Sequence, residues 1–187
     1  ETSIGVTALL ASSEYDKGDI VGQLSVPIQY PIKIADAIKF ISALYAELVL
    51  SITAKLINGH ELIPQKQIEK DATYSLWRDD NDYMINWQWS AEKICRFVDA
   101  VSHPYLGASS YAGECKVRIY NVREIQDVFV ENRDSHIGKV IFMKEGKPCV
   151  VCGVGIIMIL EIIDDQKMKN SLTDFSFRTR FSTKKVY

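Results

Sequence analysis

The sequence predicts a mixed α/β chain: strands plus a long helix, then a linker, a second helix and a small β-barrel or curled sheet. Three observations carry that reading. Residues 20–28 alternate apolar with polar positions, the two-residue period of a half-buried strand. Between Ile34 and Ile57 the apolar residues recur at three- and four-residue steps, the period of one helix face. From residue 105 to residue 164, short runs rich in Val and Ile are parted by turn residues at the spacing of a small barrel.

Taken in order, residues 5–11 form a short apolar run expected to be a buried strand. The polar loop of residues 12–19 follows, with Gly18 free to take a positive φ angle. Ile20, Gly22, Leu24, Val26 and Ile28 then share one face of a strand, and Pro27 puts it near a sheet edge. The long helix stops at Gly59 and carries Phe40, Val49 and Leu50 off its main stripe, so it is expected to pack under a sheet or against a partner. Residues 64–86 read as a polar connector containing Thr73-Tyr74-Ser75-Leu76-Trp77 and the acidic group Asp79, Asp80 and Asp82. A helix begins at Ser90, an N-cap residue, with Glu92 in its first turn and Trp89 and Ile94 spaced as a hydrophobic staple. Ile94, Phe97, Val98 and Val101 make its buried stripe, and His103-Pro104 ends it. Candidate strands follow at residues 108–111, 115–124, 138–144, 148–152 and 155–163.

The 187 residues give room for one sizeable domain or two small ones. A hydrophobic share of 47% with 25% charged residues excludes disordered, collagenous and fibrous classes. A formal net charge of −2 supplies no global field for gripping nucleic acid. The 4 Cys are too few for a secreted disulfide scaffold, so reduced thiols and a cytoplasmic setting are expected. The opening Glu1-Thr2-Ser3-Ile4-Gly5 has no initiator Met and no signal core, which suits a piece of a longer protein. No run of about 18 apolar residues is expected to span a membrane. The helix Ile34–Ile57 and the strand at residues 155–163 are expected to offer apolar surfaces for a homodimer.

Three stretches carry a resemblance. Gly5-Val6-Thr7 is followed by Tyr15-Asp16-Lys17-Gly18-Asp19-Ile20-Val21. Ile85-Asn86-Trp87-Gln88-Trp89-Ser90-Ala91-Glu92-Lys93-Ile94 is close to a helix entry reading IDWSWSAERI, and Pro104-Tyr105-Leu106-Gly107-Ala108 is similar to a PYPGA turn. In order and spacing they resemble the 10-formyltetrahydrofolate-dependent formyltransferase family, of sugar N-formyltransferases and methionyl-tRNA formyltransferases. The resemblance implies that residues 1–62 are the C-terminal part of a Rossmann-like catalytic domain, residues 63–89 a linker, and residues 90–187 a helix plus an OB-like β domain. It implies formyl transfer from 10-formyltetrahydrofolate to a primary amine, without a metal. The segment Trp77-Arg78-Asp79-Asp80 looks most like members that formylate amino sugars on nucleotide carriers. Methionyl-tRNA is the alternative acceptor; residues 90–187 hold 15 Lys and Arg against 12 Asp and Glu, a mild +3, with Arg178, Arg180, Lys184 and Lys185 at the end. A non-catalytic OB-like module that binds nucleic acid or protein is the alternative outside enzymes.

By residue physics alone, Asp16 reads as a turn former before Gly18. The resemblance makes it the carboxylate of an Asn-His-Asp catalytic set. The Asn and His of that set would precede Glu1, because His60, His103 and His136 all lie downstream of Asp16. The chain alone is therefore expected to be inactive. Tyr15, Lys17 and Gly18 flank the acid and are expected to line the pterin side of the folate pocket by backbone contacts. Asp19 is the rival acid, and its place at a strand start suits a structural hydrogen bond better. Cys149 and Cys152 have CxxC spacing, yet no second pair accompanies them and residues three apart on a strand face opposite ways, so buried structural thiols are expected. Trp77, Trp87 and Trp89 are expected to clamp the linker onto a domain.

Overall fold

The computed structural model describes residues 1–166, 175 and 177–184. They belong to two compact units, Glu1–Trp77 and Arg78–Tyr187.

In the first unit β1 (Ser3–Leu9) and β2 (Ile20–Pro27) pair antiparallel, with Val6 opposite Leu24 and Ile4 opposite Val26. The alternation places Val6, Ala8, Leu24 and Val26 in one apolar cluster with Ile41, Leu44, Leu48 and Ile52 of α1 (Ile34–Ile57). Gly22 permits that contact: a Cβ there would lie 2.9 Å from Cδ1 of Leu48. The helix ends as its sequence predicts. Gly59 takes φ 73°, and the His60 N–H donates to the Lys55 carbonyl at 2.9 Å, the six-residue closure of a Schellman turn.

Only Ala37, Leu44 and Leu48 of α1 are buried, while Phe40, Tyr45, Val49, Leu50, Leu56 and Ile57 are exposed. By length and composition this helix is long and apolar enough to cross a membrane. That corrects the expectation that no such run exists. Asp36, Lys39 and Lys55 fall toward its ends and leave Glu47 as the one charge between them.

In the second unit α2 (Ala91–Val101) starts where Ser90 Oγ accepts from the Lys93 N–H at 3.2 Å. Six strands follow: β3 (Ala108–Ala112), β4 (Cys115–Ile125), β5 (Val140–Lys144), β6 (Lys147–Val151), β7 (Ile156–Asp164) and β8 (Phe181–Ser182). They form one antiparallel sheet in the order β5-β6-β7-β4-β3-β8. The two edges of this sheet meet. The Val140 N–H donates to the Thr179 carbonyl at 2.8 Å and the Phe181 N–H to the Gly138 carbonyl at 2.7 Å, while Phe181 also stands opposite Ala112. The sheet is therefore curled, as its short, turn-separated strands predict.

Alternation along the strands divides the core in two. Ile157, Ile159, Ile162, Val150 and Cys152 join Ile94 and Val98 of α2 in the larger cluster, while Cys149, Ile156 and Met158 form a smaller one. The strand expected to offer a dimer surface is thus largely covered: β7 is flanked by β4 and β6, and only Leu160, Glu161 and Ile163 are part-exposed. Trp87 is buried, donates its Nε1–H to Ser110 Oγ at 3.0 Å and lies 5.5 Å from the Phe181 ring. Trp89 meets Phe97 edge-on at 5.4 Å. Both anchor the chain before α2 as expected. Trp77 does not, because it sits in an exposed stretch and is itself 100% exposed.

The acidic group of the connector is structural. Asp79 caps a one-turn 3-10 helix, accepting from the Asn81 N–H at 2.7 Å, and its own N–H donates to Asp82 at 2.9 Å. Asp80 pairs with Lys116 and, at 2.6 Å, with Arg118. Arg118 is only 8% exposed; it also donates to Ser109 Oγ at 2.6 Å and to Asp165 at 3.0 Å. Its charge is buried but matched on every side.

Candidate active site

The loop that joins β1 to β2 holds all four of the site residues expected from the sequence. It is closed at its base by the Leu10 N–H, which donates to the Asp19 carbonyl at 2.9 Å. Gly18 is buried at the neck, where a Cβ would stand 1.7 Å from the Leu10 carbonyl oxygen. The positive φ expected at Gly18 falls instead on Asp16, at 57°. The chain must turn before it reaches the crowded neck, and Asp tolerates the left-handed region better than most residues.

Tyr15 is 99% exposed, and the Asp16 side chain projects from the same exposed tip. The Asp16 carboxylate makes no hydrogen bond or ion pair among the described residues. Lys17 is tied back to Glu69, which also accepts from the Tyr74 hydroxyl at 3.0 Å. The hydrogen bond to Glu69 raises the Lys17 pKa; hydrogen bonds from Lys17 and then Tyr74 lower that of Glu69. Asp19 does hold the strand start, but through its backbone carbonyl; its carboxylate is unpaired among the described residues.

The connector also touches this loop, which the sequence does not foretell. Gln65 and Ile20 exchange two backbone hydrogen bonds of 2.8 Å. The Gln67 amide donates to the carbonyls of Asp16 at 2.6 Å and Gly18 at 2.7 Å. In the second unit a cleft of about 620 Å³ is lined by Phe129, His136, Lys139, Phe177 and Arg178 among others, also without a sequence signal. Arg180 donates to the Ser135 carbonyl at 2.6 Å, and Lys185 lies outside the described residues. Cys149 and Cys152 are both buried, in the two separate core clusters. Burial pushes the Cys152 thiol up to about 12 and that of Cys95 to about 11. Among the described residues no three His, Cys, Asp or Glu side chains gather closely enough to hold a metal ion.

A two-stranded hairpin with one helix, followed by a helix-capped curled sheet, is a fold shared with solved structures. HypX from Aquifex aeolicus in complex with tetrahydrofolic acid superimposes with a TM-score of 0.65 at 21% identity, over 88% of this chain and 28% of its own. The N-formyltransferase from Helicobacter canadensis, in complex with folinic acid and dTDP-3-aminofucose, gives 0.59 at 16% identity, over 85% and 56%. The chain belongs to the formyltransferase family: residues 78–178 match the formyl transferase C-terminal domain. It is 28% identical over 173 residues to the methionyl-tRNA formyltransferase of Syntrophomonas wolfei, covering 92% of this chain and 54% of that enzyme. The chain thus spans about half the length of that relative.

Proposed function

We propose that this chain is the C-terminal portion of an enzyme that moves a formyl group from 10-formyltetrahydrofolate to a primary amine, on a nucleotide-linked amino sugar. Asp16 carries the reading: a carboxylate free of partners among the described residues, at the tip of a closed turn between paired strands, in a chain of the formyltransferase family. Attack of the amine on the formyl carbon gives a tetrahedral oxyanion; a proton must leave the amine and another must reach the departing N10. The sheet fixes the loop while the Asp16 carboxylate stays reachable, so it can orient a neighbouring His and balance its charge. Tyr15 flanks the acid, and the Lys17 and Gly18 backbone shapes the pterin side of the pocket. Residues 1–62 are read as the end of a Rossmann-like domain, residues 63–89 as its linker and residues 90–187 as an OB-like domain. The protein is read as a cytoplasmic homodimer. The Helicobacter enzyme's ligands, a folate and a nucleotide-linked amino sugar, support this acceptor class.

A second reading is transfer to methionyl-tRNA. The likeness to the Syntrophomonas enzyme favours it, as does the cleft in the second unit, where Lys139 and Arg178 stand beside Phe129 and Phe177. Cations beside aromatic rings suit a phosphate backbone and stacked bases. The test supplies the full-length protein with 10-formyltetrahydrofolate and either a dTDP-linked amino sugar or methionyl-tRNA. The first acceptor is expected to be preferred by about a hundredfold or more in kcat/KM. The reverse preference establishes the second reading, and transfer to neither removes formyl transfer altogether.

A further inference from the structure

We propose that Gln67 is a positioning residue, a strap across the Asp16 turn that sets the direction of the carboxylate; this rests on the role assigned to Asp16 above. Asp16 holds a left-handed backbone conformation, which is unfavourable for a residue with a side chain. Among the described residues its carboxylate has no partner to offset that strain. Something else must hold the turn. Both donors of the Gln67 carboxamide are spent on it, one on the Asp16 carbonyl at 2.6 Å and one on the Gly18 carbonyl at 2.7 Å. The two bonds fix the Asp16–Lys17 and Gly18–Asp19 peptide planes, which bracket Lys17 and Gly18, leaving the Asp16 side chain free to meet another group.

The strap is itself registered against the sheet. Gln65 pairs with Ile20 through two backbone hydrogen bonds, which extends the antiparallel pattern from β2 onto the connector. In extended chain, residues two apart share a side. Gln65 and Gln67 follow that spacing, so Gln67 reaches the turn, and Glu69, which opens a one-turn 3-10 helix, takes Lys17 while accepting from the Tyr74 hydroxyl at 3.0 Å. The connector thereby contributes to the shape of the proposed catalytic turn.

Gln67 is exposed and absent from every core cluster, so its substitution should leave the fold intact. Two variants test the strap: Gln67→Ala removes both donors, and Gln67→Glu turns a carboxylate toward two carbonyl oxygens. In this chain, either variant should speed hydrogen exchange at the Leu10 and Ile20 amides about tenfold while the α1 amides stay unchanged. In the full-length protein, either should lower kcat about tenfold or more with the acceptor KM unmoved, since a shift of about 1 Å in a catalytic group is enough. Asp16→Asn is measured beside them. If Asp16→Asn abolishes turnover and the Gln67 variants keep normal kcat or normal exchange, the strap is overturned and the role of Asp16 stands. If Asp16→Asn turns over normally, the role of Asp16 falls and the positioning inference falls with it.

Discussion

Arg118 and Asp80 meet at 2.6 Å and tie the connector to strand β4. The arginine is nearly buried and Asp80 half exposed, so their losses are unequal. Arg118→Ala leaves Asp80, Asp165 and Ser109 without their shared donor and should cost the second unit about 2–4 kcal/mol. Asp80→Asn keeps the shape and should cost about 1 kcal/mol or less. Denaturant unfolding followed by Trp87 fluorescence measures both; equal losses would overturn the inequality.

The same pair gives a pH dependence. Hydrogen bonds from Lys116 and then Arg118 hold the Asp80 carboxyl below its usual range. A carboxyl whose folded pKa is depressed contributes stability above its unfolded value, and that contribution fades as pH falls through the folded one. The second unit should therefore lose stability below about pH 4, near the ordinary Asp value. In Asp80→Asn the loss should be shallower. Identical pH profiles for the two proteins would remove Asp80 as a source.

Asp16→Asn in the full-length protein keeps the turn but removes the charge, and turnover should fall about a hundredfold or more. Asp19→Asn should cost much less, because Asp19 holds Leu10 through its backbone and that bond survives the change. Residues 1–187 alone should show no turnover, since one carboxylate cannot both move the protons and stabilise the oxyanion. Normal activity for Asp16→Asn with collapse for Asp19→Asn would identify the other acid.

Gly18→Ala places a methyl group 1.7 Å from a backbone oxygen that has no rotamer to escape into. The turn should open, at about 1–3 kcal/mol to the first unit. Amide chemical shifts of residues 10–20 report it. An unchanged spectrum would mean that the neck is looser than its geometry.

The thiols should divide by exposure. Cys115 is exposed, whereas Cys149 and Cys152 are buried and burial drives the Cys152 pKa to about 12. At pH 8 a disulfide reagent should modify Cys115 fast, Cys95 slowly, and Cys149 and Cys152 only in denaturant. Rapid labelling of Cys152 in the folded protein would contradict its burial.

Local signals are legible in the sequence and distant ones are not. Ser90 announces α2, and a three-to-four-residue stripe with Gly59 after it announces α1, because caps and periodicity act within a few residues. The five strands between residues 108 and 164 are found to within about two residues, the usual uncertainty of element ends. Strand β8 is invisible: two residues long, it exists through partners as distant as Ser110, 72 residues away from Ser182. Gln67 is hidden for the same reason, since its partners lie 51 and 49 residues back. The positive φ is misplaced by two residues because the obstacle, the Leu10 carbonyl, sits across the loop from Gly18.

The meeting of the two sheet edges has a consequence for synthesis. The strand that joins them, around Phe181, leaves the ribosome well after its partners at Gly138 and Ala112. Until it arrives, both edges carry unpaired N–H and C=O groups, which recruit foreign strands. A nascent chain stalled before residue 178 would have nearly all of its apolar core and still be sticky. The final few residues of the sheet thus act as a completion signal: a product truncated there should aggregate, whereas the finished one seals its own seam.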